Sequence, residues 1–143
     1  MTDVVRAEIE IDCGIEGVWE ILRDLERYPE WNPFTPRVES SLQMGDPVHL
    51  YVRLQSAKLS HRVEYVTAAE PYRLCWGMKM GANVLLKAER CQILTAIDEH
   101  RTRYVSEDHF SGLLTPFVMG LFGGSMQRGF ADCASALKKR AEA

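Results

Sequence analysis

Asp108 is the residue best placed for proton chemistry. It shares the strand alternation of Thr102, Tyr104, Ser106 and Phe110, so a cavity that receives Phe110 also receives the carboxylate. A carboxyl taken out of water is costly unless paired, and desolvation lifts its pKa toward the range of a general acid or base. His61 alternates with Val63 and Tyr65 and is the second, weaker candidate. An imidazole and a carboxylate in one pocket would suit proton transfer at a carbonyl compound, the step that aldol cyclisation and dehydration require. Plainer readings stand beside these. Asp108 also reads as a structural acid paired with an arginine or a backbone donor, or as an exposed residue if the strand phase is reversed. His61 serves as an ordinary exposed strand residue. His49, His100 and His109 fall at surface or turn positions, His109 in opposite phase to Asp108. No Ser/His/Asp spacing, P-loop or GxGxxG occurs, so nucleophilic and nucleotide chemistry have no support.

A second set of residues suits binding rather than reaction. Tyr28-Pro29-Glu30-Trp31-Asn32-Pro33-Phe34-Thr35-Pro36 holds three prolines and cannot be a regular helix or a central strand. In one reading Asn32 hydrogen-bonds a ligand while Trp31 and Phe34 guard a cavity mouth; in the other Asn32 caps backbone groups and both rings plug the core. Leu74, Trp76 and Met78 alternate inward and line a cavity wall, or simply fill a core. Phe117, Leu121, Phe122, Met126 and Phe130 form an apolar floor on the last helix, where Met and Phe adapt to irregular ligands, although such a stripe also serves as plain core.

These residues need elements to hold them. Val5, Ala7, Ile9 and Ile11 alternate with charged residues, the period of a half-buried strand. Ile15, Val18, Trp19, Leu22 and Leu25 then follow helical spacing, and Pro29 limits that helix to about residue 24, with a short turn of helix over Leu25–Tyr28. Strands follow over Arg37–Leu42, Val48–Leu54, Lys58–Ala69, Leu74–Met78, Leu85–Asp98 and Thr102–Ser111, the last two joined across Glu99-His100-Arg101. From Leu114 the period is helical again, with Phe122, Met126, Phe130, Cys133 and Leu137 spaced by four, four, three and four. Lys138, Lys139 and Arg140 suit its C-terminus, and Pro116 its first turn. Gly120, Gly123 and Gly124 weaken its front half by about 1 kcal/mol each, which implies close packing there or a bend. Short connections between consecutive strands dictate an antiparallel sheet. One helix cannot fill the hollow of seven curved strands, and the remaining space is a mostly apolar cavity.

Composition narrows the classes further. The chain has 143 residues, 46% of them hydrophobic, with 17 basic and 20 acidic side chains and a net charge of −3. That length fits one domain spanning 1–143, and the absence of a long basic run argues against nucleic acid. The longest apolar stretch, Leu113 to Phe122, is too short for a bilayer and contains Pro116, so stable membrane insertion is not expected. Cys13, Cys75, Cys91 and Cys133 form no CxxC. Three disulfide pairings are open to them, but without a secretory leader the reading is buried thiols in a reducing cytoplasm. No metal and no cofactor are expected, and monomer and homodimer both stay open.

An ordered set of short segments makes the chain similar to a known family. Ile11-Asp12-Cys13 is followed by Glu16-Gly17-Val18-Trp19 and Leu22-Arg23-Asp24, then by Tyr28-Pro29-Glu30-Trp31-Asn32-Pro33-Phe34. Pro71-Tyr72-Arg73-Leu74-Cys75-Trp76-Gly77, Asp108-His109-Phe110-Ser111-Gly112-Leu113-Leu114 and Leu137-Lys138-Lys139-Arg140-Ala141-Glu142 complete it. Over nearly its whole length the chain resembles the START/Bet v 1-like (SRPBCC) superfamily, in its polyketide cyclase/dehydrase-like branch. The family often carries Glu where Asp108 stands, and the shorter acid reaches less far. The resemblance implies an α+β helix-grip fold: a seven-stranded curved antiparallel sheet wrapped around a long C-terminal helix, with two short helices after strand 1. Fold alone does not fix activity. Three functions follow as expectations. The first is binding of a small hydrophobic or aromatic, lipid- or polyketide-like molecule. The second is cyclase or dehydratase catalysis by general acid–base chemistry. The third is a non-catalytic helper of another protein, of the co-chaperone or quinone-handling kind. Convergence of two or more polar groups inside the cavity would separate enzyme from carrier.

Overall fold

The structure is a computed structural model and describes residues 2–54, 58–81 and 85–143. Strand β1 (Thr2–Ile11) leads into helix α1 (Ile15–Arg23) and a 3-10 helix (Leu25–Glu30). Strands β2 (Arg37–Ser40), β3 (Pro47–Val52), β4 (Ser60–Glu70), β5 (Arg73–Met80), β6 (Leu86–Asp98) and β7 (Arg101–Ser111) follow, and helix α2 (Thr115–Glu142) closes the chain. The 3-10 helix carries Pro29 within it; the tighter helix tolerates the ring where a longer α-helix would lose a hydrogen bond.

All seven strands form one antiparallel sheet in the order β1-β7-β6-β5-β4-β3-β2. Neighbours in sequence are neighbours in space except at β1, which crosses to pair with β7, Val5 opposite Asp108 and Ile11 opposite Thr102. Helix α2 packs along β1 and β7, and α1 packs on α2 and on the ends of β6 and β7. This is the helix-grip arrangement, an α+β fold.

The register lays the inner face out as rows. One row runs Val5, Asp108, Arg90, Trp76 and Val66 across β1, β7, β6, β5 and β4. The row on one side is Ala7, Ser106, Gln92 and Leu74; on the other, Phe110, Ala88 and Met78. Between Val66 and Ala68 the β4–β5 register shifts by a bulge, and the extra residue exchanges the two faces of β4. Val66 therefore opposes inner Trp76, whereas Ala68 opposes outer Cys75.

Two expectations are corrected here. Cys75 and Cys91, directly opposed on β5 and β6 with Cα atoms 4.1 Å apart, form a disulfide. They sit on the outer face in a small cluster with Ala68 and Ile93. Only Cys13 and Cys133 are free thiols among the described residues; the spacing in sequence could not show that a hairpin juxtaposes the other two. The glycines of α2 also behave differently. A side chain at Gly120 would meet nothing nearby, and α2 runs unbroken from Thr115. The tight position is Gly129, where a Cβ would run into the Phe34 ring.

Candidate functional site

The back half of α2 closes the hollow with apolar bulk. Phe130, Cys133, Ala134 and Leu137 are all buried there, and Phe130 meets Phe34 edge to face at 5.5 Å between ring centroids. Toward the front half, space opens. A cavity of about 420 Å³ lies between the sheet and α2, lined by Met78, Leu86, Ala88, Phe110, Val118 and Phe122, among others. Deeper in, a chamber of about 40 Å³ is walled by Phe34, Trp76, Arg90 and Phe130. Arg62, Glu64, Asp108 and Met126 belong to the walls of both, so these four stand between the outer cavity and the inner chamber. The outer volume falls within the usual range for small-molecule sites. Clefts of comparable size near α1 and the 3-10 helix are lined by surface charges such as Glu20, Arg23 and Glu39, which pair with near neighbours in sequence.

Polar groups converge at the neck. Asp108 is half-buried as a residue, yet its Oδ1 is shut off from solvent and finds no hydrogen-bond partner. Burial pushes its carboxyl up to about 7, against the pull of Arg90, His109 and Arg62. Glu64 is pushed up to about 8, first by burial and then by the neighbouring charge of Asp108. Two carboxyls in one partly desolvated space cannot both ionise cheaply, so an ionised Asp108 favours protonation of Glu64. Arg90 is buried, and its Nε donates to Ser106 Oγ at 3.0 Å. Its guanidinium carbon lies 4.3 Å from the centroid of the Phe130 ring. Beside it, the buried Tyr104 hydroxyl donates to Gln92 Oε1 at 2.6 Å, and burial holds that phenol well above its ordinary value.

The structure distributes the sequence candidates unevenly. Trp76, Met78, Asp108, Phe110 and Met126 all line one or both chambers. Phe34 lines the inner chamber as well as seating against α2. Asn32 Oδ1 accepts from the backbone N–H of Phe34 at 3.1 Å and of Thr35 at 3.0 Å, an Asx turn that holds the proline-rich corner rigid. Trp31 packs edge to face on Tyr28 at 5.0 Å, outside either chamber's wall.

Three residues lie elsewhere than expected. His61 is exposed on the outer face, its ring stacked on Tyr51 at 4.8 Å and on His49 at 5.2 Å, so it shares no pocket with Asp108. Phe117 and Leu121 are 66% and 48% exposed. The stripe that faces inward is Leu114, Val118, Phe122 and Met126, one position later, because α2 lies on the sheet along its four-residue ridge. Conversely, the strand pattern of the sequence does not by itself point to Glu64, Arg62 or Arg90. Arg90 and Gln92 are the signal that was there to use: two polar residues in the inward phase of Leu86, Ala88 and Leu94.

Comparison with known proteins agrees with this geometry. Residues 2–142 match the family described as polyketide cyclase / dehydrase and lipid transport. Among solved structures, the Zhui aromatase/cyclase from Streptomyces sp. R1128 superposes with a TM-score of 0.80 at 16% identity, covering 99% of this chain and 94% of that one. A norcoclaurine synthase from Thalictrum flavum superposes at 0.73 with 13% identity, over 99% and 95%. A START superfamily protein from Mycobacterium smegmatis gives 0.71 with 20% identity, over 97% of each. No curated protein gives a significant sequence match.

Proposed function

The chain belongs to the polyketide cyclase/dehydrase and lipid transport family, and from that premise we propose that it holds one small hydrophobic or aromatic molecule between its sheet and α2. The observation that carries this is the outer cavity, apolar along Met78, Leu86, Ala88, Phe110, Val118 and Phe122 and polar only at its inner neck. An apolar body fits the cavity, and its oxygen-bearing end meets Glu64 and Asp108. Uptake of an apolar fluorescent dye such as Nile red tests this. Ala88→Trp, which fills the cavity from β6, should abolish uptake in a protein that still melts cooperatively. Undiminished uptake by that folded variant would remove the cavity as the site.

A second reading, turnover of the bound molecule, is favoured by one specific feature: two carboxyls, Glu64 of β4 and Asp108 of β7, that wall both chambers and are pushed by burial up to about 8 and about 7. One can take a proton from the carbon next to a carbonyl while the other donates to the carbonyl oxygen, giving a neutral enol. The aromatase/cyclase and the norcoclaurine synthase are enzymes by name, which makes the reading worth testing here. In deuterium oxide, the protein should exchange the methyl protons of 2-acetylnaphthalene faster than buffer, with Asp108→Asn reducing that rate at least tenfold. Equal rates with and without protein would leave the carrier function alone.

A further inference from the structure

Resting on the cavity reading above, we propose that the head of the ligand is an oxyanion (a carboxylate, phenolate or enolate joined to an apolar body) and that Arg90 receives it in the inner chamber. The register sets Arg90 between Asp108 and Trp76 on the inner face. Arg90 is 5% exposed, and its guanidinium packs over Phe130 at 4.3 Å and Phe34 at 5.8 Å. Nε is satisfied by Ser106, but Nη2, fully shut away from solvent, meets no acceptor. A buried donor left without an acceptor is costly, and the ring faces that flank the guanidinium do not supply the missing acceptor.

The obvious counter-charge does not close the gap. Asp108 stands directly opposite Arg90 in the sheet, yet its own buried Oδ1 also lacks a partner. A donor and a carboxyl oxygen are thus both left without partners, on two residues that wall a chamber of about 40 Å³, more than one water needs and about right for a carboxyl-sized group. Its walls carry Arg62 and Glu64 from β4, Arg90 from β6 and Asp108 from β7, and Arg90 also faces Tyr104 of β7 and Cys133 of α2. Two guanidinium groups stand at this end, whereas burial favours the protonated form of both carboxyls up to near-neutral pH. The inner end is therefore positive. An ammonium head would face two guanidinium groups, and a neutral head would leave Nη2 uncompensated. An oxyanion can accept from Nη2 and from the protonated Asp108 carboxyl together, both charge-assisted bonds of the stronger class.

Calorimetric titration of the intact chain at pH 6.5 with three probes of one body tests this: 2-naphthoate, methyl 2-naphthoate and 2-naphthylmethylammonium. The naphthoate should bind at least tenfold more tightly than the ester, with the ammonium weakest. In Arg90→Met the advantage over the ester should shrink to within twofold while the ester still binds. Should that variant fail to fold, the double variant Glu64→Gln, Asp108→Asn serves instead. At pH 9 it should bind naphthoate more tightly than the native chain does, because the two ionised carboxylates that repel the anion are gone, with the ester unaffected. Naphthoate and ester binding within twofold of each other in the native chain would overturn the oxyanion head and leave the cavity reading standing. Failure of both to bind would overturn the cavity reading, and the head assignment with it.

Discussion

The two halves of α2 face the same sheet and do opposite things. From Ser125 to Leu137 the helix buries Met126, Gly129, Phe130, Cys133, Ala134 and Leu137, and Phe34 inserts where Gly129 leaves room for a ring. From Thr115 to Gly124 only Thr115 is buried, Gly120 adds no bulk, and Arg62 and Glu64 replace apolar side chains on the strand beneath. Core forms where both layers supply large apolar groups. A cavity forms where the helix buries little and the strand beneath turns charged. Binding space and stability thus come from different turns of one element.

The sharpest way to break this contrast is at Phe130. Phe130→Ala should cost about 3–5 kcal/mol of unfolding free energy, read by chemical denaturation, because a buried ring and its contact with Phe34 vanish together. Loss of the Cys75–Cys91 bond by Cys75→Ser comes next. The bridge spans 16 residues, a loop size whose closure is worth about 3 kcal/mol; an unreduced intact mass two hydrogens below the all-thiol value would confirm the bond itself. The neck gives a smaller, pH-dependent effect. Asp108 and Glu64 hold protons in the folded state to about pH 7 and 8 but lose them near pH 4 when unfolded. The folded state therefore binds more protons in between, and stability falls as pH rises through that window. The slope is at most about 1.4 kcal/mol per pH unit for each group. Asp108→Asn should flatten part of that slope in melts taken from pH 5 to 8. The smallest effect belongs to the front of α2, where Phe117→Ser should change stability by less than about 0.5 kcal/mol. A loss of several kcal/mol there would mean that Phe117 is covered in solution.

How much of this the sequence reveals depends on the element. Period-two alternation locates β1, β3, β6 and β7 because each buries one face along its length, and period 3.6 locates both α-helices. The faces of β4 are where that reasoning fails. Counting back from inward Ala69 in strict alternation puts Tyr65, Val63 and His61 inside, but the bulge after Val66 reverses the phase, so Arg62 and Glu64 point in instead. A bulge leaves no sure mark on composition, and hydrophobicity misleads further because the inner residues here are the charged ones. Asp108 was legible since β7 keeps its register with both neighbours around it. Its partner Glu64 was not, for want of knowing where β4 slips. The step from Phe117 and Leu121 to Val118 and Phe122 is a rotation of one residue on α2, which only packing against the sheet decides.

The crossing of β1 to β7 has a consequence for how the molecule is made. Thr2 pairs with Ser111 and Ile11 with Thr102, so β1 waits for roughly a hundred residues to be made before its neighbour exists. The hairpins β3–β4, β4–β5, β5–β6 and β6–β7 can zip locally in that interval, but β7 stays an open edge, with Asp108 next to no strand on that side. Closure of so long a loop is slow, and an unpaired edge invites other chains. The alternating Arg6, Glu8 and Glu10 of β1, which pair with Glu107 and Arg103 of β7, keep that late-docking strand charged on one face while it waits.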